Sequence, residues 1–309
     1  NASADIYATD IDSSNFGNAD GATTKDLSLS VNQPIWRGGR TFAETDRAQE
    51  LIKAGEASLL KAQQSIFMDA ATAYMSVLRD REILKIRQKN EDILMQELHA
   101  AWTRVDIGTI TNTDVYQAKS RLARAKSIRI DAQRDLDISS AEFEQIIGMP
   151  PPKNLKPPHT TFPFPKTQAD MIKLAEKQNP DIWIIKYEHS AAKYNVKATF
   201  RELFPQISAY ASYNKQYDPL PGIIDDSRVN TIGLRATISL YEGGAPRSRV
   251  REAKKEAKRL EYTILEVKRR IKQEIIRNLS SYNAAKSNTE SRQVEIEAAR
   301  LALKGVKEE

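Results

Sequence analysis

The hydrophobic pattern of this chain changes period twice, in the same way each time. Leu27, Leu29 and Val31 alternate with Ser28, Ser30 and Asn32, the period-two signature of a strand with one apolar and one polar face. After Gly38-Gly39 the period becomes helical. Leu51, Leu59, Ile66, Ala70, Tyr74, Val77, Leu84, Leu94, Leu98 and Val105 recur mostly at threes, fours and sevens, and Gly55 is the one helix breaker before residue 105. The second copy begins 205 residues on, where Leu234, Ala236 and Ile238 alternate and Gly243-Gly244 precede another long helical stretch. Leu27, Leu29, Ile35, Trp36, Gly38 and Gly39 fall without a gap on Ile232, Leu234, Leu240, Tyr241, Gly243 and Gly244. A duplication of this length constrains architecture more than any single motif.

Each strand that leads to a glycine pair has a weaker partner before it. Ala2, Ala4, Ile6 and Ala8 alternate ahead of a polar loop at 12–26; Ile207, Ala209, Ala211 and Tyr213 do so ahead of one containing Pro219, Pro221, Gly222, Asp225 and Asp226. Each half therefore predicts a hairpin of two strands of roughly ten residues, about the length that crosses a bilayer in a tilted β-barrel. The glycine pairs allow positive φ and a sharp change from strand to helix. They are no phosphate loop, since no Gly-x4-Gly-Lys follows. Trp36 and Tyr241 end the strands where an aromatic girdle would lie, yet strict alternation puts them in phase with Ser28 and Ser30. Contact with lipid and cover for the strand–helix junction both remain open for them.

A helix running from Gly39 to about Val105 would be a rod of about 100 Å. Gly108, Thr109, Thr111, Asn112, Thr113 and Asp114 form a turn, with Thr113 or Asp114 placed to cap a helix from Val115 to Ile147. Seven of the thirteen prolines lie in 150–165, an extended connector. Helices follow at 166–178 and 180–204, the second starting at Asn179-Pro180. The segments are then a first β-hairpin (1–37), a helical hairpin (38–149), a connector with a short helix (150–178), a helix of the second repeat (179–205), a second β-hairpin (206–242) and a long helix (243–309). The repeat offset places a preceding helix before Asn1 and a second turn just beyond Glu309, so the pattern is that of a segment of a longer protein.

Composition narrows the chemistry. Hydrophobic content of 40%, charged content of 28% and a mean hydropathy of −0.56 suit long helices with a narrow buried stripe. With no cysteine there is no disulfide scaffold, thiolate nucleophile or structural zinc site. His99, His159 and His189 are scattered, and no Gly-x-Ser-x-Gly elbow is present. These observations point to no enzyme, cofactor or metal. The net charge of +6 owes much to twelve Lys/Arg in 247–277, but Glu252, Glu256, Glu261 and Glu266 interleave with them. No aromatics alternate with the basic residues to stack bases, so a solvated helix face accounts for them better than nucleic acid.

Several motifs follow one another along the chain: Gln33-Pro34-Ile35-Trp36-Arg37-Gly38-Gly39-Arg40, Ala70 to Asp80, Gly108-Thr-Ile-Thr-Asn-Thr-Asp114-Val115, Ile147-Gly148-Met149-Pro150, Asn179-Pro180 and Leu203-Phe204-Pro205-Gln206. In this order they resemble the TolC family of outer-membrane channel proteins, particularly its type I secretion branch. The resemblance implies a mainly α fold with a small β part: very long antiparallel helices forming an α-barrel, and four strands per protomer in a twelve-stranded barrel of a homotrimer. It implies an outer-membrane location in contact with lipid, a long periplasmic extension, and docking to a periplasmic adaptor (membrane fusion) protein and an inner-membrane ABC or RND transporter. Protein secretion, drug efflux or both would be the function. Gly108, Thr109, Asn112, Thr113 and Asp114 would form the periplasmic tip, where adaptors bind and where the carboxylate of Asp114 helps hold the entrance closed. Trp36, Gly38, Gly39, Tyr241, Gly243 and Gly244 would form the strand-to-helix junctions. The competing reading is a soluble periplasmic coiled-coil scaffold or adaptor with a small β cap.

Overall fold

The computed structural model describes residues 2–11, 22–158, 165, 167–220 and 224–308, without the side chains of 2–11, 22–25, 218–220, 224–225 and 307–308. Residues 12–21 and 221–223 of the two polar loops, the side-chain alternation of residues 2–8 and the last part of the proline connector therefore lie outside the described residues. Residues 22–26, 219–220 and 224–226, expected in the loops, belong to strands. The elements are β1 (Ala2–Ile11), β2 (Ala22–Arg37), α1 (Arg40–Asp106), α2 (Asn112–Ile147), α3 (Gln168–Gln178), α4 (Pro180–Phe200), a 3-10 turn (Arg201–Leu203), β3 (Gln206–Leu220), β4 (Ile224–Thr237) and α5 (Ala245–Glu308). They divide into two units, Asn1–Ala57 with Thr167–Glu309, and Ser58–Lys166.

In the first unit the two hairpins join into one antiparallel sheet of order β1-β2-β3-β4. β2, β3 and β4 span 16, 15 and 14 residues rather than ten. Cross-strand partners share a face. One face collects Leu27, Leu29 and Val31 of β2, Ile207, Ala209, Ala211 and Tyr213 of β3, and Ile232, Leu234 and Ala236 of β4. The other collects Ser28, Ser30, Asn32, Ser208, Tyr210, Ser212, Asn214, Thr231 and Arg235.

Trp36 departs from the alternation expected of it. β2 bulges between Pro34 and Trp36, so that Pro34 faces Ser208 and Trp36 faces Ile207. The extra residue, Ile35, moves every later side chain to the opposite face. Trp36 thus joins the face of Leu29 and Val31 instead of that of Ser28 and Ser30. Proline at the bulge is tolerated because it has no ladder hydrogen bond to give.

The duplicated strands also end differently. Arg37 and Thr237 sit at one level, both opposite Gln206, and Pro205 precedes β3. β2 therefore reaches its glycine pair directly, whereas residues 238–241 run past the last residue of β3 and have no strand to pair with. Tyr241 lies outside any strand and is 88% exposed, against 45% for Trp36.

The helical core of this unit lies between α4 and α5. Ile182 and Ile185 meet Leu260, Val267 and Ile271, and buried positions on α5 continue back through Ala257, Ala253 and Val250 at alternating threes and fours. Asn179 caps α4 by accepting the N–H of Asp181 at 2.9 Å, with Pro180 at the first position. The basic part of α5 is laced with carboxylates, including Arg249 with Glu202, Lys268 with Glu176 and Arg270 with Asp181.

The second unit is a helical hairpin with a seven-residue repeat. On α2, Ala118, Ala125, Ala132 and Ser139 are buried in one row, and Val115 and Phe143 bound the other. On α1, Ala73, Val77, Asp80, Leu84 and Ala101 are buried. A strict seven-residue repeat winds helices in a left-handed sense, and alanines at the seam let the backbones approach closely. The early part of the predicted α1 stripe is overturned: Leu51, Leu59 and Ile66 are exposed, while Ala43, Ala54 and Ala57 are buried. Small side chains win the packed positions there, and the large apolar ones point away.

Candidate functional site

At the first junction Gly38 and Gly39 adopt φ of 61° and 79°; at the second, Gly243 and Gly244 adopt 59° and 82°. Two successive left-handed residues turn the chain from strand to helix in both copies. Their surroundings differ. A Cβ on Gly38 would lie 2.6 Å from the Cβ of Phe204 and 2.8 Å from the carbonyl oxygen of Arg201, while one on Gly243 or Gly244 would meet open space. Ion pairs tie the junctions together. Glu44 accepts from Arg37 at 3.3 Å and Arg40 at 2.7 Å, and Glu202 binds Arg40 and Arg249 at 3.1 Å each. The acidic hub at Glu202 had no motif to betray it, since its partners come from residues 40 and 249.

The tip turn is built from two helix ends. α1 closes with Gly108 at φ 76°, its N–H donating to the Val105 carbonyl at 2.8 Å and that of Thr109 to Arg104 at 2.9 Å. This pair of bonds satisfies carbonyls that the helix end would leave open. The next helix begins at Asn112, not Val115, and Thr111 rather than Thr113 or Asp114 is its first flanking residue. Asp114 is the third helical residue, and its carboxylate accepts both the Thr111 N–H and the Thr111 hydroxyl at 2.9 Å. That is the reciprocal box formed by a hydroxyl residue and an acid three positions on. These two donors hold the Asp114 carboxyl below the usual carboxylate range. Below the turn Val115 packs with Ala101 and Ala118. Gly108, Thr109, Asn112, Thr113 and Asp114 are all exposed, and Asn112 and Thr113 make no side-chain hydrogen bond among the described residues.

The proline connector is strapped to α1, which its composition did not reveal. The Tyr74 hydroxyl donates to the Lys156 carbonyl at 2.7 Å and accepts the Lys156 N–H at 3.1 Å. Arg81 donates to the carbonyls of Pro152 and Lys153, and Leu155 packs against the cluster of Ala73, Val77 and Phe143. An extended, proline-rich chain has unpaired carbonyls, and a long donor such as Arg81 satisfies them. Nearby, Asp80 is buried at a seam position. Its carboxylate is held below the usual range by Arg79, which donates to both oxygens at 2.7 and 3.0 Å, and by Ser139.

No helix among the described residues is long and apolar enough to cross a membrane, and those residues contain no group of ligands suited to a metal ion. On the sheet, exposed Ile232 (88%) and Leu234 (75%) share a face with Leu29, Val31 and Trp36.

Comparison with known proteins agrees with this geometry. The chain is 30% identical over 288 residues to the outer membrane efflux protein BepC of Brucella suis, covering 93% of this chain and 63% of that protein. It is 24% identical over 201 residues to the outer membrane protein TolC of Salmonella enteritidis, covering 62% of this chain and 41% of that one. The chain thus spans less than two thirds of these relatives. The crystal structure of the outer membrane protein VceC of Vibrio cholerae superposes with a TM-score of 0.69 at 18% identity, covering 92% of this chain and 70% of that one. The family model for the outer membrane efflux protein matches residues 1–149 and 171–307, and the chain belongs to that family of outer-membrane channel proteins.

Proposed function

We propose that this chain is a protomer of a trimeric outer-membrane export channel, serving protein secretion, drug efflux or both. The observation that carries the reading is the sheet: one apolar face, one polar face and two open edges, β1 and β4. An open edge in lipid costs several kcal/mol for each unsatisfied backbone group, about enough to forbid it. Three copies, with β4 of each against β1 of the next, close twelve strands and remove every edge. Lipid then meets the Leu29–Trp36 face, and water fills the inside.

The band dimensions support this. From the level of Ile207 and Trp36 to that of Lys215 there are eight residues of β3, or about 27 Å of strand and about 20 Å along the membrane normal at a 40° tilt. The apolar band of such barrels is about 25 Å tall, with aromatic girdles at both rims. Trp36 lies at one rim, and Tyr213 and Tyr217 lie toward the other. Residues 238–241 would gain a strand partner from the neighbouring copy. A soluble scaffold leaves the exposed apolar face unexplained.

In this reading the helices continue as a periplasmic tunnel. The tip at Gly108, Thr109, Asn112, Thr113 and Asp114 receives a periplasmic adaptor and, through it, an inner-membrane ABC or RND transporter. Trp36, Gly38, Gly39, Tyr241, Gly243 and Gly244 carry the wall from barrel to tunnel. The test is single-channel conductance of the full-length protein in a planar bilayer, with its mass measured in detergent. A trimer with discrete conductance is expected; a monomer without conductance overturns the proposal. Asp114→Ala is expected to raise resting conductance, and an unchanged value would leave Asp114 as a helix-capping residue alone.

A further inference from the structure

The polar face of the sheet holds one cation without an ion pair among the described residues. Arg37 is engaged by Glu44, and Asp26 lies eight β3 residues away toward the loop end, opposite Gln216. Arg235, opposite Ser208, has no carboxylate partner. Its guanidinium instead stands 4.9 Å over the ring of Tyr210, an arrangement that attracts the cation to the negative face of the ring.

The seat for that ring is specific. Tyr210 is the cross-strand partner of Gly233. A Cβ on Gly233 would lie 2.8 Å from the Tyr210 hydroxyl and 2.9 Å from its Cζ. Gly233 is not among the residues with positive φ, so its backbone does not call for glycine; the flattened ring does. A glycine inside a strand loses stability through chain entropy and a missing side chain. Here that loss lets Tyr210 lie across β4 and back the guanidinium. One face of the guanidinium rests on the ring, and its N–H edges remain open to water and to planar anions.

We infer that Arg235, seated on Tyr210 in the gap left by Gly233, is an anion-selecting group of the channel lumen. The inference rests on the reading above, in which the polar face lines the pore. Three protomers then place three guanidinium groups at one level, favouring chloride and the carboxylate, sulfate or phosphate groups of passing molecules over cations. Three like charges on a wall about 10 Å from the axis act across water, so their influence is modest and salt-dependent.

The test is the reversal potential of the full-length channel in a potassium chloride gradient. Arg235→Gln is expected to lower the anion-to-cation permeability ratio roughly twofold near 0.1 M salt, and less near 1 M, where screening shortens to about 3 Å. Arg235→Lys keeps the charge and is expected to keep most of the ratio. If the glutamine variant does not assemble, Tyr210→Leu removes the seat but not the charge, and is expected to lower the ratio in the same direction. A conducting channel whose ratio is unchanged by Arg235→Gln, or by Tyr210→Leu in its place, overturns the role of Arg235 alone. Absence of any pore in the unmodified protein overturns the channel reading and this inference with it.

Discussion

The duplication sets up its own controlled experiment at Gly38 and Gly243. The two glycines have φ of 61° and 59°, so alanine suffers the same left-handed strain at each. That strain is roughly 1–2 kcal/mol. It is offset by about 0.4–1 kcal/mol because alanine restricts the unfolded chain. At Gly243, where the added Cβ meets nothing within 4 Å, the net loss should be about 1 kcal/mol. At Gly38 the same Cβ would stand 2.6 Å from Phe204 Cβ and 2.8 Å from the Arg201 carbonyl oxygen. Both are fixed by backbone, so the collision adds roughly 1–3 kcal/mol. Asparagine separates the two terms, because it tolerates left-handed φ but still carries a Cβ. Gly243→Asn should stay within about 0.5 kcal/mol of the parent, whereas Gly38→Asn should lose nearly as much as Gly38→Ala. Urea unfolding of the detergent-solubilised protein, followed by far-ultraviolet circular dichroism, reads these as midpoint shifts. Equal losses for the two alanine variants, or recovery of Gly38 by asparagine, would refute the reasoning.

Tyr74→Phe removes both hydrogen bonds to Lys156, a loss of about 1 kcal/mol. Limited proteolysis should then cut faster within residues 150–158, and an unchanged rate would deny the strap. Asp114 has a folded-state pKa below its unfolded value because Thr111 donates to it twice. Its contribution is therefore full above the ordinary carboxylate range and is lost as pH falls through the lowered pKa. Amide exchange at Thr111–Val115, corrected for intrinsic rates, should stay protected at about pH 5 and lose protection in stronger acid; Asp114→Asn should abolish that dependence. The pKa of His189 is lowered as well, but by a different cause: burial first, then Lys193, with Glu261 opposing. Since the folded protein resists protonating it, stability should decline as pH drops through about 6.5 and flatten below the folded pKa. His189→Gln should remove that part of the slope, and an identical slope would sink the assignment.

Much of the fold was legible because it is written in local period. Alternation marked the strands, a helical spacing marked α1, the duplication marked α5, glycine pairs marked the exits, and Asn179-Pro180 marked the start of α4. Such signals depend on the residue and its near neighbours alone. The candidate tip was legible as a turn, but its cap was misplaced by up to three residues, since Thr111, Thr113 and Asp114 are all competent and only the hydrogen bonds choose among them.

What the tertiary structure decided concerns partners distant in sequence. β2 bulges because it must match β3, and that one extra residue transfers Trp36 from the polar face to the apolar one. β4 stops at Thr237 because β3 offers nothing beyond Gln206, although its sequence continues the pattern of its twin. Alanines rather than leucines are buried along early α1, although the leucines carry more apolar area. Glu202 joins the two junctions through Arg40 and Arg249, and Gly233 admits Tyr210, through contacts that no local pattern records. The chain alone determined its elements and their repetition, since propensity and period act within a few residues. Which faces they present, and where each strand ends, came from neighbours that only folding brings together.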